Sequence, residues 1–135
     1  MSYPKFHDRS AVALKLRAGN TDAFQYILDE YGPALCFFAS RLTGNAAAAT
    51  EIAEEAVLQL WEMRKRFYSL TAISNFLYTS TYDGCRLHLQ KEQRVIDNDQ
   101  IHQEIIRAEV LRQVRHKKSR ISFTTPDTIY SIQPC

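Results

Sequence analysis

Three groups of polar side chains have the types and the spacing to act on a partner. Arg64, Lys65 and Arg66 stand in a row before Phe67. A cationic run beside an aromatic ring attracts phosphate and offers a stacking plane, the two properties that bind single-stranded nucleic acid. Asn75, Tyr78, Tyr82 and Arg86 recur at spacings of three and four, with Ser69 just upstream. On a helix that spacing lines up two rings one turn apart beside hydrogen-bonding neighbours. Unstacked bases are read by such ring and pocket contacts, not by a helix lying in the major groove. Glu51, Glu55, Gln59 and Glu62 make an acidic stripe, suited to a basic protein surface, where charge governs orientation and association more than raw affinity. Each group also has a plain alternative. The stripe can be a solvated helix face, the three cations can compensate a helix C-terminus, and the two tyrosines can be half-buried packing residues.

Other chemistries find no support in the residues. His7, His88, His102 and His116 are scattered, and Cys36, Cys85 and Cys135 form no CxxC pair and no cluster with metal-ligand spacing. There is no Ser/His/Asp or Cys/His constellation, no paired carboxylates in a plausible pocket and no Gly-rich phosphate loop. No catalytic residue, metal or cofactor is expected, and Trp61 is assigned to the core. An odd number of cysteines and the lack of a leader-like N-terminus point to a reducing, cytoplasmic setting. No apolar run approaches the roughly 20 residues that cross a bilayer, so no membrane role is expected.

The elements that must carry these residues are helices. A chain of 135 residues, 45% hydrophobic and 24% charged, is one domain's worth of sequence with a genuine core. Its net charge of +2 means that nucleic-acid binding has to come from local clustering. Four Gly and four Pro leave most of the chain free of helix breakers. A short helix is expected over about 8–18, stopping at Gly19-Asn20. The next starts from Asn20 or Thr21, is broken or kinked at Gly32-Pro33, and resumes to Gly44-Asn45. A third helix over 46–66 carries Ala49, Ile52, Ala56, Leu60, Met63 and Phe67 on its apolar side. A fourth, over 71–93, is expected to turn Ile73, Phe76, Leu77, Ser80, Gly84 and Leu87 inward, with Asn75, Tyr78, Tyr82, Arg86 and Gln93 opposite. Asp97-Asn98-Asp99 can cap a fifth helix from Ile101 to Val114, after which periodicity ends. The fold class that follows is all-α: a compact bundle of about four to five helices, with an irregular tail over 116–135.

Read in order, four stretches resemble a known family. LRAGNTDAFQYILDEYGPALCFFASRLTGN is similar to the opening of region 2 of bacterial extracytoplasmic-function sigma factors, with an A-F-x-x-L/I helix, a Y-x-P kink and an R-L-T-G stop. AAATEIAEEAVLQLWEMRKRF resembles the D-A-E-D-I-V-Q-x-V-F-x-K-L-W segment of that region and ends in the same basic-aromatic corner. SNFLYTSTYDGCRLHLQKEQR resembles its N-F-L-Y-T-S-T-R-N-x-C-L-x-x-L helix, and EIIRAEVLRQVR looks like the start of the helix that opens region 4. The resemblance implies that Glu51, Glu55, Gln59 and Glu62 dock on the clamp of the largest subunit of core RNA polymerase. It also implies that Arg64, Lys65, Arg66, Phe67, Ser69, Asn75, Tyr78, Tyr82 and Arg86 open promoter DNA and hold melted bases of the −10 element. An anti-sigma factor is a further implied partner.

The chain departs from the pattern in three places. The acidic pair and Gln of the clamp-binding segment read Thr50-Glu51 and Glu54, and the Arg-Asn pair of the DNA helix reads Tyr82-Asp83. After Arg115 the family-like sequence stops, where a region 4 helix-turn-helix is expected to continue. The expected organisation is thus a region 2-like domain over 1–95, a linker and the start of a region 4-like helix over 96–115, and the tail. Two functions compete: a transcription-initiation module on core polymerase and −10 DNA, and a polymerase- or anti-sigma-binding module of the same fold without promoter activity.

Overall fold

The computed structural model describes residues 9–121, and every regular element among them is helical. The five α-helices are α1 (Arg9–Arg17), α2 (Thr21–Thr43), α3 (Ala46–Glu62), α4 (Leu70–Lys91) and α5 (Asn98–Ile121), with a 3₁₀ turn at Arg64–Arg66 between α3 and α4. The all-α bundle expected from periodicity is the fold. Its starts and stops are set by small polar residues and glycine. Asn20 and Asn45 accept hydrogen bonds from the backbone N–H of Ala23 and Ala48, at 2.9 and 3.0 Å, which satisfies donors that a helix start leaves free. Gly19 and Gly44 end α1 and α2 with φ of 86° and 70°, a region open to glycine without steric cost.

Pro33 does not break α2, which runs unbroken from Thr21 to Thr43. The missing N–H of Pro33 leaves the carbonyl of Asp29 without its helical donor, and the guanidinium of Arg115 lies 3.5 Å from that oxygen, at the outer reach of a hydrogen bond. α3 differs from expectation at its end. Instead of continuing to residue 66 it closes at Glu62, and the chain tightens into the 3₁₀ turn, with the N–H of Arg66 donating to Met63 O at 2.9 Å. The turn swings Phe67 into the core, where it packs on Phe76 with ring centroids 5.1 Å apart.

The core is built from Val12 and Leu16 of α1, Ile27, Leu35 and Phe38 of α2, Leu60 of α3 and Ile73, Leu77 and Cys85 of α4, all fully buried. The inward face of α4 differs from the sequence-based one. Leu70, Ile73, Leu77, Tyr78, Thr81, Cys85 and Leu89 are buried, whereas Leu87 is 56% exposed. The reason is that α4 is covered from two sides. Tyr78 meets the ring of Phe38 on α2 edge-on, at 5.4 Å and 88°, while α3 lies against Ser80 and Gly84.

α5 also differs from expectation. Its helix extends through Ile121, so residues 116–121 are helical where a tail was expected, and the rest of that tail lies outside the described residues. The helix expected over Ile101–Val114 is packed on α2, with Ala108 and Glu104 buried in the contact. Among the described residues no helix is long and apolar enough to cross a membrane.

The close approach of α3 and α4 at Gly84 is a test of this packing. A Cβ placed on Gly84 would sit 2.7 Å from Cγ2 of Ile52. In an open helix Gly→Ala stabilises by about 1 kcal/mol; here overpacking opposes it by about 1–3 kcal/mol. Gly84→Ala is expected to lower stability in chemical denaturation, and to be neutral or stabilising in an Ile52→Ala background. Stabilisation in both backgrounds would contradict the close approach.

Candidate functional site

The polar residues singled out by spacing fall on three separate surfaces. The first is the outer side of α3. Glu51, Glu54, Glu55 and Glu62 are exposed, and Leu58 stands among them with 55% of its surface open. The expected stripe is therefore on the surface, but it has an apolar centre that its charges did not reveal. Gln59 is half-buried. Its side-chain oxygen accepts from the Ser80 hydroxyl at 2.9 Å and its amide donates to Glu55 at 3.4 Å, so it ties α3 to α4. A groove of about 380 Å³ between the two helices is lined by Glu51, Ile52, Glu55, Gln59, Ser80, Asp83 and Leu87. Asp83, one of the departures from the family pattern, belongs to this acidic groove.

The second surface is the corner that follows α3. Arg64 stacks on Trp61, its guanidinium carbon 4.3 Å from the ring centroid, and donates to Trp61 O at 3.0 Å. It also packs beside Gly19 and is half-buried, and its Nε is enclosed with no hydrogen-bond partner among the described residues. Lys65 and Arg66 are exposed, with no ion pair among the described residues. Phe67, expected as a stacking plane, is 9% exposed and serves the core instead. Its neighbour Tyr68 is 73% exposed, and Arg17 of α1 lies over its ring at 4.1 Å while donating to Phe67 O at 2.9 Å. The exposed aromatic beside the cations is thus Tyr68, one residue later than sequence reasoning placed it. The Arg64–Phe67 run pointed to the corner, but Arg17 lies fifty positions from Phe67 and no local spacing could reveal it.

The third surface runs along α4. Ser69 caps the helix, its hydroxyl oxygen accepting from the Ala72 N–H at 3.0 Å. Ser69 and Asn75 line a cleft of about 490 Å³ together with Tyr31, Thr71, Ser74 and two residues of α5, Glu109 and Arg112. Tyr78 does not offer an exposed ring. It is 8% exposed, packed on Phe38, and its hydroxyl donates to Glu109. The half-buried-packing alternative describes it. Tyr82 is half-buried, and Arg86 is exposed and paired with Asp83 at 3.7 Å. Asn75 and Arg86 lie about 16 Å apart along the helix, so this row is not one pocket.

Electrostatics bind α5 to the bundle at two points. Glu104, 2% exposed, accepts from Arg41 and Arg107, each at 3.0 Å. Arg112 bridges Glu109 and Glu30 and lies 4.8 Å above the ring of Tyr31. Burial works against the Arg112 charge, but the hydrogen bond to Glu109 and the charges of Tyr31, Glu109 and Glu30 outweigh it and hold its pKa above the ordinary value. Burial, then the hydrogen bond and charge of Glu109, push the Tyr78 phenol well above its usual range. Burial alone pushes the Cys85 thiol up to about 12. No group of three or more potential metal ligands occurs among the described residues.

Residues 27–95, just over half of the chain's 135, match the family described as Sigma-70 region 2. The match runs from the first turns of α2 past the end of α4 and leaves α1 and α5 outside. No curated protein and no solved structure gives a match.

The Tyr78–Glu109 bond makes a prediction about pH. Tyr78→Phe is expected to cost about 1–2 kcal/mol by removing a hydrogen bond to a carboxylate. Because the folded-state pKa is raised, the neutral phenol contributes in full below pH about 10 and progressively less above it. The Tm advantage of the wild type over Tyr78→Phe should therefore shrink as pH rises past 10 in thermal melts. An advantage that grows with pH would contradict it.

Proposed function

Because this chain belongs to the Sigma-70 region 2 family, we propose that it acts in the cytoplasm as a sigma-factor module that docks on core RNA polymerase and holds melted −10 DNA in transcription initiation. The observation that carries the reading is the adjacency of two opposite surfaces, one along the outer side of α3 and one at the turn that follows it. α3 presents exposed Glu51, Glu54, Glu55 and Glu62 around exposed Leu58, and the turn after it presents Lys65, Arg66 and Tyr68. An acidic rim around an apolar centre suits a basic protein surface with an apolar contact at its middle, with the charges steering the encounter. Two exposed cations beside an exposed ring suit a single strand, whose phosphates and bases they meet together. Ser69 and Asn75 extend that second surface into the cleft beside α4.

Within the expected DNA set the weight falls on Lys65, Arg66, Ser69, Asn75 and the added Tyr68. Arg64, Phe67 and Tyr78 support these residues from inside the fold, and Tyr82 and Arg86 lie farther along α4. The smaller exposed set favours keeping the second reading in view: a module that occupies polymerase or an anti-sigma factor through α3 without promoter activity. Both readings use the α3 face, and only the first needs the corner. The family is one of transcription-initiation factors, not of enzymes, and the function requires no cofactor.

Charge reversal at Glu55 and Glu62 to Lys is expected to weaken pull-down of core polymerase at least tenfold in low salt with helicity unchanged, roughly the cost of two interface charges meeting like charges. Undiminished binding would remove α3 from the interface. Lys65→Ala with Arg66→Ala should weaken binding of a labelled single-stranded DNA oligonucleotide to the core–chain complex. It should also flatten the log–log salt slope by about 0.7 for each phosphate no longer neutralised. An unchanged affinity and slope, with core still bound, would leave the second reading in place.

A further inference from the structure

We propose that Arg17 is a positioning residue for the single-strand face: it holds the Tyr68 ring by one side and leaves the other as a fixed stacking plane for one unpaired base. The proposal deepens the single-strand reading of the corner and rests on it. Arg17 belongs to α1, outside residues 27–95, so the family match assigns it nothing. The site is assembled from two distant parts of the chain. α1 is firmly seated, with Val12, Ala13 and Leu16 fully buried and Gly19 beside the guanidinium of Arg64. Half-buried Arg17 therefore projects from a fixed helix. Tyr68 stands in the short connection between the 3₁₀ turn and α4, and its neighbours pin its backbone from both sides. Phe67 before it is buried against Phe76, and Ser69 after it caps α4 through the Ala72 N–H. What those anchors leave free is the ring of Tyr68 itself, which is 73% exposed.

Arg17 acts on that remaining freedom. One arm of its guanidinium donates to Phe67 O at 2.9 Å, and the guanidinium carbon lies 4.1 Å from the centroid of the Tyr68 ring. A planar fork can hold a carbonyl and cover a neighbouring ring at once, whereas the compact ammonium of lysine has no plane to lay on the ring. With Arg17 over one face and most of the residue exposed, the other face of the ring is open to solvent. Every base has a π-face that can stack on such a plane. Ordering the ring in advance removes part of the entropy that would otherwise be lost when the strand binds. The Phe67 carbonyl carries no net charge, so bonding to it leaves the cation of Arg17 at the corner. Its role still differs from that of Lys65 and Arg66. Phosphate neutralisation needs only charge, whereas holding the ring needs the shape of the guanidinium.

Arg17→Lys separates the two roles, because it keeps the charge and loses the fork. The measurement is the affinity of the core–chain complex for a labelled single-stranded DNA oligonucleotide across a salt series, in wild-type and Tyr68→Ala backgrounds. Tyr68→Ala is expected to weaken binding about tenfold, and Tyr68→Phe, which keeps the ring, by less than about twofold. Arg17→Lys should weaken binding about threefold or more in the wild-type background, with the log–log salt slope unchanged. In the Tyr68→Ala background it should cost nothing further, the non-additivity of a residue that acts through another. Binding of core polymerase is expected to be the same for every variant, since α3 is untouched. Full strand affinity in Arg17→Lys would show that Arg17 contributes charge alone. An equal loss in both backgrounds would show that it braces the corner without acting through the ring. Tyr68→Phe as weak as Tyr68→Ala would put the hydroxyl in contact instead of the ring face, and would also overturn the proposal. If Tyr68→Ala binds the strand as the wild type does while Lys65→Ala with Arg66→Ala weakens it, the positioning role fails and the single-strand reading stands. If none of these changes alters strand binding while core is bound, the single-strand reading fails and the positioning role with it.

Discussion

The bundle is arranged around the width of the buried arc on α2. Ala23, Ile27, Tyr31, Ala34, Leu35, Phe38, Ala39, Leu42 and Thr43 are all buried, and at about 100° per residue they span about 200° of the helix. An apolar face that wide cannot be covered by one neighbour, and α3, α4 and α5 share it. The division of labour follows from chemistry. α3 and α4 meet α2 and each other through apolar side chains, to the point that Gly84 and Ile52 leave no room for a Cβ. α5 completes the cover near Tyr31 with guanidinium groups, which lie flat on rings and satisfy carboxylates at once. Arg115 reaches the same helix at Asp29, whose carbonyl Pro33 cannot serve. The proline that a helix of this length tolerates is thus placed beside the element that lies over it.

That arrangement decides which polar residues remain for partners. With its inner side spent on α2 and α4, α3 presents its carboxylates and Leu58 to solvent. Closing α3 early, at Glu62, lets the 3₁₀ turn send Phe67 inward and Tyr68 outward, so one turn of chain both seals the core and exposes a ring between cations. α1 steadies this corner through Arg17, which grips the Phe67 carbonyl and lies over Tyr68. The surfaces proposed for partners are by-products of how the core is closed.

The number, order and approximate limits of the helices were legible in the sequence because they depend on local rules: asparagine at N-caps, glycine at the ends of α1 and α2, and apolar spacing of three and four. The acidic face of α3 was legible for the same reason. Residue-level roles that depend on tertiary neighbours were not. Tyr78 has the spacing of an exposed partner to Asn75 and Tyr82, yet Phe38 lies beside it from forty positions upstream and Glu109 from thirty-one downstream. Leu87 fits the inward spacing of α4, but the second covering helix rotates the buried arc away from it. α5 was legible as a helix, but its ion pairs to α2 were not, because Arg41 meets Glu104 and Glu30 meets Arg112 across long stretches of sequence.

The central claim is that one chain couples polymerase docking on α3 to recognition of unpaired bases at the corner that follows it. Retention of a randomised pool of single-stranded DNA by core polymerase, with and without the chain, tests that coupling with no promoter sequence chosen in advance. The account predicts that the retained strands share a short common element only when the chain is present, and that sequencing before and after selection reveals it. A chain that binds core polymerase and yet retains the same strands as core alone would contradict it.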